Sequence, residues 1–272
     1  MKPIIGLAGF GNMGSAIYER AKDAFDILVY EKDTSKTAAL PPAAVESDLR
    51  ALVSRCAAVV LAVKPQDFPE LLRQIGDPGK TVVISIAAGI PTAFIEAAFP
   101  GAHVIRVMPN LPAKVGKGMS CIARGKKVAQ PDLTLAEGIF KKVGQVLVID
   151  ESLMNAATAI SGSGPGFFFD QVIGKSVHEA ENYGKHNFTP QLIEAARAVG
   201  FHDNRQAVTL ANATTAGALE LLRQTKIAAE VLRDQVTSKG GTTEAGLKAL
   251  HETDSLIEAA RAALARAQEL AK

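Results

Sequence analysis

The sequence contains no tryptophan, and aromatic residues make up only 5% of its 272 residues. A protein that stacks bases on aromatic side chains needs more of them, so the composition gives no support for binding to nucleic acid. Neither sign of charge dominates, because 30 lysine and arginine residues stand against 28 acidic ones and the net charge is +2. A chain so close to neutrality has no electrostatic reason to bind an anionic membrane either.

Cysteine and long hydrophobic runs are also scarce. Cys56 and Cys121 lie far apart and form no paired motif, which favours reduced, buried thiols over a disulfide framework. No apolar run approaches the roughly 18 residues of a membrane span. The apolar N-terminus is interrupted by Gly9 and Gly11, which is not typical of a secretory signal. The sequence therefore predicts a cytoplasmic protein without a membrane partner.

The first half of the chain alternates short apolar runs with helical stretches. These runs, rich in β-branched residues, occupy residues 4–8, 27–30, 59–63, 81–86, 104–107 and 146–149. Runs without polar alternation are typical of strands buried on both faces, although a buried helix segment can look the same. Strand–helix–strand repetition predicts a parallel sheet with helices on each side. We therefore predict a doubly wound, Rossmann-like α/β domain over residues 1–150.

After residue 151 the composition changes to one dominated by alanine, leucine, glutamate and arginine. The pattern predicts helices over residues 152–160, 167–183, 191–199, 205–224, 227–235, 243–250 and 255–270. These helices carry apolar residues on most faces, more than a small isolated domain can bury. We expect an all-helical domain over residues 151–272 that forms a homodimer or a larger homo-oligomer.

A glycine-rich turn follows the first predicted strand and opens a helix, and it reads Gly9-Phe10-Gly11-Asn12-Met13-Gly14. In this context G-x-G-x-x-G is typical of a dinucleotide site. The first glycine permits the tight turn, the second lets the backbone approach a pyrophosphate, and the third lets helix and strand pack closely. The helix N-terminus then offers N–H groups to the anion. A glycine turn without a ligand is the alternative.

Two charged residues at the end of the second strand bear on the choice of coenzyme. Glu31 lies near the expected offset for a residue that binds the adenosine ribose, and its carboxylate would repel a 2′-phosphate. Lys32 would attract that phosphate, and Lys36 lies one turn further on if a helix begins at Thr34. We therefore expect the protein to use NADPH and NADH with weak discrimination. Each residue could instead be a solvated loop charge.

Three further loops follow strand ends, where ligands of doubly wound sheets bind. Ala62, Val63, Lys64 and Pro65 end the third strand, and Ala88 follows the fourth. Asn110 follows the fifth strand, where it could bond the nicotinamide carboxamide or the substrate, or simply begin a proline-limited turn. We expect all of them to border the coenzyme.

The second half contains two clusters of glycine and hydroxyl residues, at 161–165 and 236–243. Small hydroxyl residues at a helix start present N–H and O–H groups that suit a carboxylate. Helix capping without a ligand is the alternative for each cluster. A double glycine, Gly240-Gly241, among four hydroxyl residues exceeds what a cap requires.

These segments together resemble the pyrroline-5-carboxylate reductase family. The resemblance rests on residues 6–14, 62–66, 85–89, 106–110, 161–165 and 236–243, and so spans nearly the whole chain. It implies reduction of 1-pyrroline-5-carboxylate to L-proline by hydride transfer from NAD(P)H, in an interlocked dimer. It also implies that the substrate carboxylate binds Ser238, Gly240, Gly241, Thr242 and Thr243, with Thr243 near the ring nitrogen as the catalytic residue.

The chain departs from the family pattern at several positions. Gly166-Phe167 stands where Ala-Tyr is usual, Leu111 stands where Thr is common, and extra residues lie between Phe169 and Ile193. No metal is expected, because the five histidines show no ligand spacing.

Two other function classes remain open at this point. One is another NAD(P)H-dependent imine or hydroxyacid reductase. Hydroxyacid dehydrogenases place a lysine, and an asparagine one turn later, about where Phe167 and Gln171 occur here. The other is a non-catalytic dinucleotide-binding regulator, which would not need the hydroxyl cluster at 237–243.

Overall fold

The structure, a computed structural model, describes residues 2–271 and contains one seven-stranded sheet. The strand order is β2-β1-β3-β4-β5-β6-β7, and β1 to β5 pair in parallel. The strands are Ile4–Ala8 (β1), Asp26–Tyr30 (β2), Ala58–Leu61 (β3), Val82–Ser85 (β4), Val104–Met108 (β5), Gly118–Arg124 (β6) and Gly144–Val148 (β7). The central position of β1, with β2 and β3 on its two sides, is the crossover expected of a doubly wound sheet.

The burial of the strands explains why most of them could be predicted from apolar runs in the sequence. All residues of β3, β4 and β5 are buried, as the unbroken apolar runs predict. The sixth strand was not predicted, because β6 reads GMSCIAR and contains a single β-branched residue. The expectation of full burial is wrong for β7, whose residues are exposed or half-buried. It is the last strand in the order and has a neighbour on one side only.

Five α-helices accompany these strands: Asn12–Ala21 (α1), Leu49–Arg55 (α2), Phe68–Ile75 (α3), Thr92–Ala98 (α4) and Gln130–Phe140 (α5). The side chains of α2 and α3 contribute Leu52, Phe68 and Leu72 to a core that also contains Val59 and Val83 from the sheet. Short 3₁₀ turns lie at Thr34–Thr37, Pro42–Ala44, Pro65–Asp67, Leu111–Val115 and Glu151–Leu153.

The second half is helical, as predicted. Its α-helices are Met154–Ala157 (α6), Gly164–Gln171 (α7), Val177–Tyr183 (α8), Thr189–Ala198 (α9), Asn204–Thr225 (α10), Ala229–Val236 (α11), Thr242–Thr253 (α12) and Leu256–Leu270 (α13). Thr158–Gly162 and Gly184–Phe188 form π-helical turns. Phe168 packs edge-on against Phe188, with ring centroids 5.2 Å apart, in the core of this part.

The single helix predicted over residues 167–183 is wrong. It is broken after α7 by Gly174, whose φ of +75° is left-handed and does not continue a helix. A new helix begins at Ser176, whose Oγ accepts the N–H of Glu179 while the Glu179 carboxylate accepts the N–H of Ser176. This reciprocal capping box fixes the start of α8.

The chain forms two compact units. One comprises the chain up to Val107 together with Ile122–Val143, and the other comprises Met108–Cys121 and the chain from Gly144 onward. Residues 108–121 are thus grouped with the helical part, whereas the domain boundary predicted at residue 150 places them in the first domain. Within residues 2–271, no helix is both long enough and apolar enough to cross a membrane.

Candidate active site

The glycine turn between β1 and α1 has the geometry that a bound pyrophosphate requires. Gly9 has a φ of +105°, and a Cβ there would lie 2.6 Å from the Ala62 carbonyl oxygen. A Cβ on Gly14 would lie 2.2 Å from the Gly9 oxygen, so only glycine lets α1 pack this closely. A Cβ on Gly11, by contrast, would meet no atom within 4 Å. The turn is therefore closed on the protein side and open where a ligand would approach.

Gly11 is also the N-cap of α1, and no side chain caps this helix. Asn12 and Met13 occupy its first positions, and its first turn contains no acidic residue. Unsatisfied N–H groups and the positive end of the helix dipole therefore face the same space as the open side of Gly11. The residues present fit a pyrophosphate.

Glu31 lies directly beside this turn. Its Oε2 accepts the N–H of Phe10 at 2.6 Å, and its Oε1 accepts the N–H of Asp33 at 3.1 Å. Lys36 Nζ lies 3.6 Å from Oε1. Burial raises the pKa of the Glu31 carboxyl, but these two hydrogen bonds and the Lys36 charge outweigh it and leave the pKa below its ordinary value. Glu31 is thus an ionised residue that links the end of β2 to the glycine turn.

A cavity of about 330 Å³ adjoins these residues. The predicted coenzyme residues that line it are Gly9, Gly11, Glu31, Lys32, Ala62, Val63 and Lys64. Lys36 also lines it, and a 3₁₀ helix does begin at Thr34, as the sequence predicts. The sequence analysis did not place Tyr30, Gln66, Asp67 and Leu71 there. Three lysines and two carboxylates, Glu31 and Asp67, give this cavity the mixed charge suited to a nucleotide.

The other predicted coenzyme residues lie outside the lining of this cavity. Phe10 packs its ring edge-on against Tyr18, with centroids 5.6 Å apart. Pro65 begins a 3₁₀ turn, and Ala88 is exposed in the segment between β4 and α4. Their contact with a coenzyme stays a prediction.

Asn110 belongs to the second unit and is 3% exposed. Its Nδ2 donates to the Ser161 carbonyl oxygen at 3.1 Å, and its Oδ1 accepts the N–H of Met119 at 2.8 Å. The side chain therefore joins the chain after β5 to β6 and to the first glycine–hydroxyl cluster. Its proposed contact with nicotinamide stays a prediction.

The structure brings the two glycine–hydroxyl clusters of the helical part together. The N-cap of α7, Ser163, is fully buried, and its Oγ lies 3.0 Å from Thr242 Oγ1 and 3.2 Å from Thr243 Oγ1. Thr243 is 4% exposed, whereas Thr242 is only half-buried. Three hydroxyl groups from two helix starts thus form one hydrogen-bonded cluster.

The segment before α12 is held in a defined conformation. Gly241 is the N-cap of α12 and donates its N–H to the Ser238 carbonyl oxygen at 2.9 Å. Gly240 donates its N–H to Glu244 Oε2 at 2.8 Å. No side chain caps α12, so the N–H groups of Thr242 and Thr243 remain available to an anion at the helix N-terminus.

Two family models match the chain. Residues 186–270 match the model described as pyrroline-5-carboxylate reductase dimerisation, and residues 4–89 match the model described as NADP oxidoreductase, coenzyme F420-dependent. The pyrroline-5-carboxylate reductase of Methanosarcina acetivorans is 34% identical over 282 residues, covering 98% of each chain. The chain belongs to the pyrroline-5-carboxylate reductase family.

Solved structures of pyrroline-5-carboxylate reductases have the same fold. The enzyme from Coxiella burnetii is 30% identical with a TM-score of 0.66, and the comparison covers 100% of both chains. The enzyme from Plasmodium falciparum, determined with NADP bound, is 25% identical with a TM-score of 0.63, covering 99% of this chain and 98% of that one. Pyrroline-5-carboxylate reductases thus match both the sheet-containing and the helical parts of this chain.

Proposed function

We propose that this protein reduces 1-pyrroline-5-carboxylate to L-proline with NAD(P)H. The relatives support the activity, and one observation in this chain carries the site: the hydroxyl cluster of Ser163, Thr242 and Thr243 at an uncapped helix start. Helix capping alone does not account for it, because the threonine hydroxyls bond Ser163 on another helix rather than the N–H groups of their own.

The substrate carboxylate is proposed to bind at the N-terminus of α12. Gly240 and Gly241 already use their N–H groups within the protein, so the free donors are the amides of Thr242 and Thr243. The glycines contribute room and shape instead. A Cβ on Gly241 would lie 2.3 Å from Ser238 Oγ, so Ser238 can fold over this segment only because residue 241 is glycine.

Thr243 is proposed to lie near the ring nitrogen of the substrate. Its hydroxyl is fixed by Ser163 and can exchange a hydrogen bond with that nitrogen, a modest contribution. The coenzyme, when bound, supplies the hydride. The main task of the chain's own residues is to hold the imine carbon in reach of it and to exclude water.

The residues beside the glycine turn are proposed to hold either coenzyme. Glu31 favours the free ribose hydroxyls of NADH, while Lys32 and Lys36 attract the 2′-phosphate of NADPH. Because Lys36 already lies close to Glu31, the carboxylate repels a phosphate less than an isolated one would.

We further propose a homodimer or larger homo-oligomer formed through the helical part. The match of residues 186–270 to a dimerisation model supports this assembly. Sedimentation of the full chain as a monomer at micromolar concentration would contradict it. The cytoplasmic location remains a prediction.

Hydroxyacid reduction receives less support. Phe167 is fully buried, and Gln171 accepts a hydrogen bond from the Tyr183 hydroxyl at 3.2 Å, so neither supplies the lysine and asparagine of those enzymes.

Substitutions at Thr243 test the proposed site. Thr243→Ala should lower kcat/KM for the pyrroline substrate by roughly fivefold to a hundredfold, as expected for the loss of one hydrogen bond of about 1–3 kcal/mol. Thr243→Ser keeps the hydroxyl and should retain most of the activity. Gly241→Val should abolish substrate binding, and all three variants should bind coenzyme normally.

Thr253→Ala is the matched control, because Thr253 lies on the same helix and bonds only the Ala249 carbonyl oxygen. Wild-type rates in both Thr243→Ala and Gly241→Val would place the substrate elsewhere. A wild-type protein that oxidises neither NADPH nor NADH with the pyrroline substrate would refute the function itself.

A further inference from the structure

The last helix of the chain reaches the proposed substrate segment. Arg266 on α13 donates its Nε–H to the Gly240 carbonyl oxygen at 2.7 Å. On the other side of the same residue, Glu244 Oε2 accepts the Gly240 N–H at 2.8 Å. Both backbone polar groups of Gly240 are therefore held by charged side chains, one from α12 and one from α13. Hydrogen bonds to ionised groups are the stronger class.

The packing of α12 on α13 places Arg266 there. The two helices form a hairpin: the C-cap of α12 is Asp254, with a φ of +51°, and the N-cap of α13 is Ser255, whose Oγ accepts the N–H of Glu258. They pack closely at Gly246, where a Cβ would lie 2.9 Å from the Ala259 carbonyl oxygen. Arg266 lies two turns after Ala259 on α13 and contacts Gly240, the residue before the N-cap of α12.

Gly240 needs to be held because its backbone is unusual. Its φ of +69° lies in the left-handed region, and glycine has little intrinsic preference for that region over others. Rotation at Gly240 would swing Gly241 and thereby reorient the first N–H groups of α12. The directions of the Thr242 and Thr243 N–H groups therefore depend on contacts that fix the Gly240-Gly241 backbone.

We propose that Arg266 is a positioning residue for substrate binding, which holds Gly240 in its left-handed conformation so that the amides of Thr242 and Thr243 face the substrate carboxylate. This inference rests on the proposed function. Arg266 acts through the backbone and needs no contact with the substrate. Its ion pair, Nη1 to Glu269 Oε2 at 2.8 Å, lies within α13 and only orients the guanidinium.

The test is Arg266→Gln with Arg261→Gln as its control. Arg261 lies on the same helix and pairs with Glu258 at 2.7 Å, so both substitutions remove one intrahelical ion pair. Only Arg266→Gln also removes the charged donor to Gly240. Arg266→Gln should raise KM for the pyrroline substrate about tenfold, with kcat and the Kd for NADPH changed by no more than about twofold. Arg261→Gln and Glu269→Gln should leave all three near wild type, and Arg266→Lys should restore part of the loss.

Amide hydrogen exchange at residues 240–243 distinguishes a failure of the inference about Arg266 from a failure of the proposed function. Arg266→Gln should exchange faster there than Arg261→Gln, whatever substrate the enzyme reduces. Equal exchange and equal KM in the two variants would overturn the role of Arg266. If Arg266→Gln does not fold, Glu244→Ala against Glu244→Gln tests the other contact, because glutamine keeps an oxygen that accepts the Gly240 N–H. Equal KM values in that pair would also count against the proposal.

Discussion

Replacing Gly166 with alanine tests how closely α7 and α12 pack at the proposed site. A Cβ on Gly166 would lie 2.6 Å from Thr243 Cγ2, about 0.8 Å inside ordinary contact, while Val236 Cγ1 at 3.4 Å is tolerable. The clash can be relieved by rotating Thr243 about χ1, which moves its hydroxyl away from Ser163, or by separating the two helices. Either change disturbs the hydroxyl cluster.

The expected magnitude combines two opposing effects. Overpacking of this kind costs about 1–3 kcal/mol, whereas replacing glycine by alanine inside a helix gains up to about 1 kcal/mol. Thr243→Ser removes the methyl group that clashes and alone costs about 1 kcal/mol. In the double variant the new Cβ takes the place of that methyl group. The double variant should therefore be at least as stable as either single variant, and the two changes should be strongly non-additive.

The measurement is urea unfolding and steady-state kinetics on four proteins: wild type, Gly166→Ala, Thr243→Ser and the double variant. Gly138→Ala is the control for helix propensity, because it lies inside α5 and its Cβ would meet only Phe25 Cζ at 3.7 Å. It should be neutral or stabilising. Gly166→Ala should lose stability and substrate affinity, and Thr243→Ser should restore both. Simple additivity of the two changes would show that Thr243 Cγ2 does not set the packing at Gly166.

Three other predictions concern charges and thiols. Glu31→Gln should shift the ratio of kcat/KM values toward NADPH by about tenfold or more and Lys32→Ala should shift it toward NADH, whereas an unchanged ratio would show that Glu31 does not face the ribose. Burial raises the pKa of Cys56 and Cys121 to about 12, so both should resist alkylation at pH 8 until urea is added. Because unfolded thiols ionise near pH 8.5, the stability contributed by their neutral forms should fall as pH rises from there toward 12, and unfolding at pH 7 and pH 10 measures it. Asp170→Ala should cost about 1–3 kcal/mol in urea unfolding, because this carboxylate, with its side chain 9% exposed, joins Arg233 at 3.2 Å to His251 at 2.9 Å.

The glycine turn was predictable because its geometry is local. Gly9, Gly11 and Gly14 lie within six residues, and the steric demands on each follow from a strand that turns into a helix. Strands β3, β4 and β5 were predictable for a similar reason, since burial of every residue leaves a continuous apolar run in the sequence. Strand β6 lacks that signature, and only its neighbours in the sheet make it a strand.

The contacts that complete the candidate site were not predictable from the sequence. Ser163 and Thr243 are 80 residues apart, and Arg266 lies 26 residues after Gly240. Nothing in the local pattern of either partner specifies such a pairing. The hydrogen bond from Phe10 to Glu31 is likewise tertiary, because it requires β1 and β2 to be in register. The break at Gly174 had a local signal that was missed: glycine followed by Ser176 and Glu179 at capping-box spacing.

The absence of lysine and arginine from α7 also affects the reaction that the site suits. An imine accepts hydride far better when its nitrogen is protonated, and a lysine or arginine beside that nitrogen would lower its pKa by like-charge repulsion. The sequence of α7, GPGFFFDQ, contains no cation, and Phe167 is fully buried. Because α7 has no cation, nothing on that helix opposes a positive charge on the ring nitrogen of the substrate. This suits the reduction of an imine better than that of a ketone.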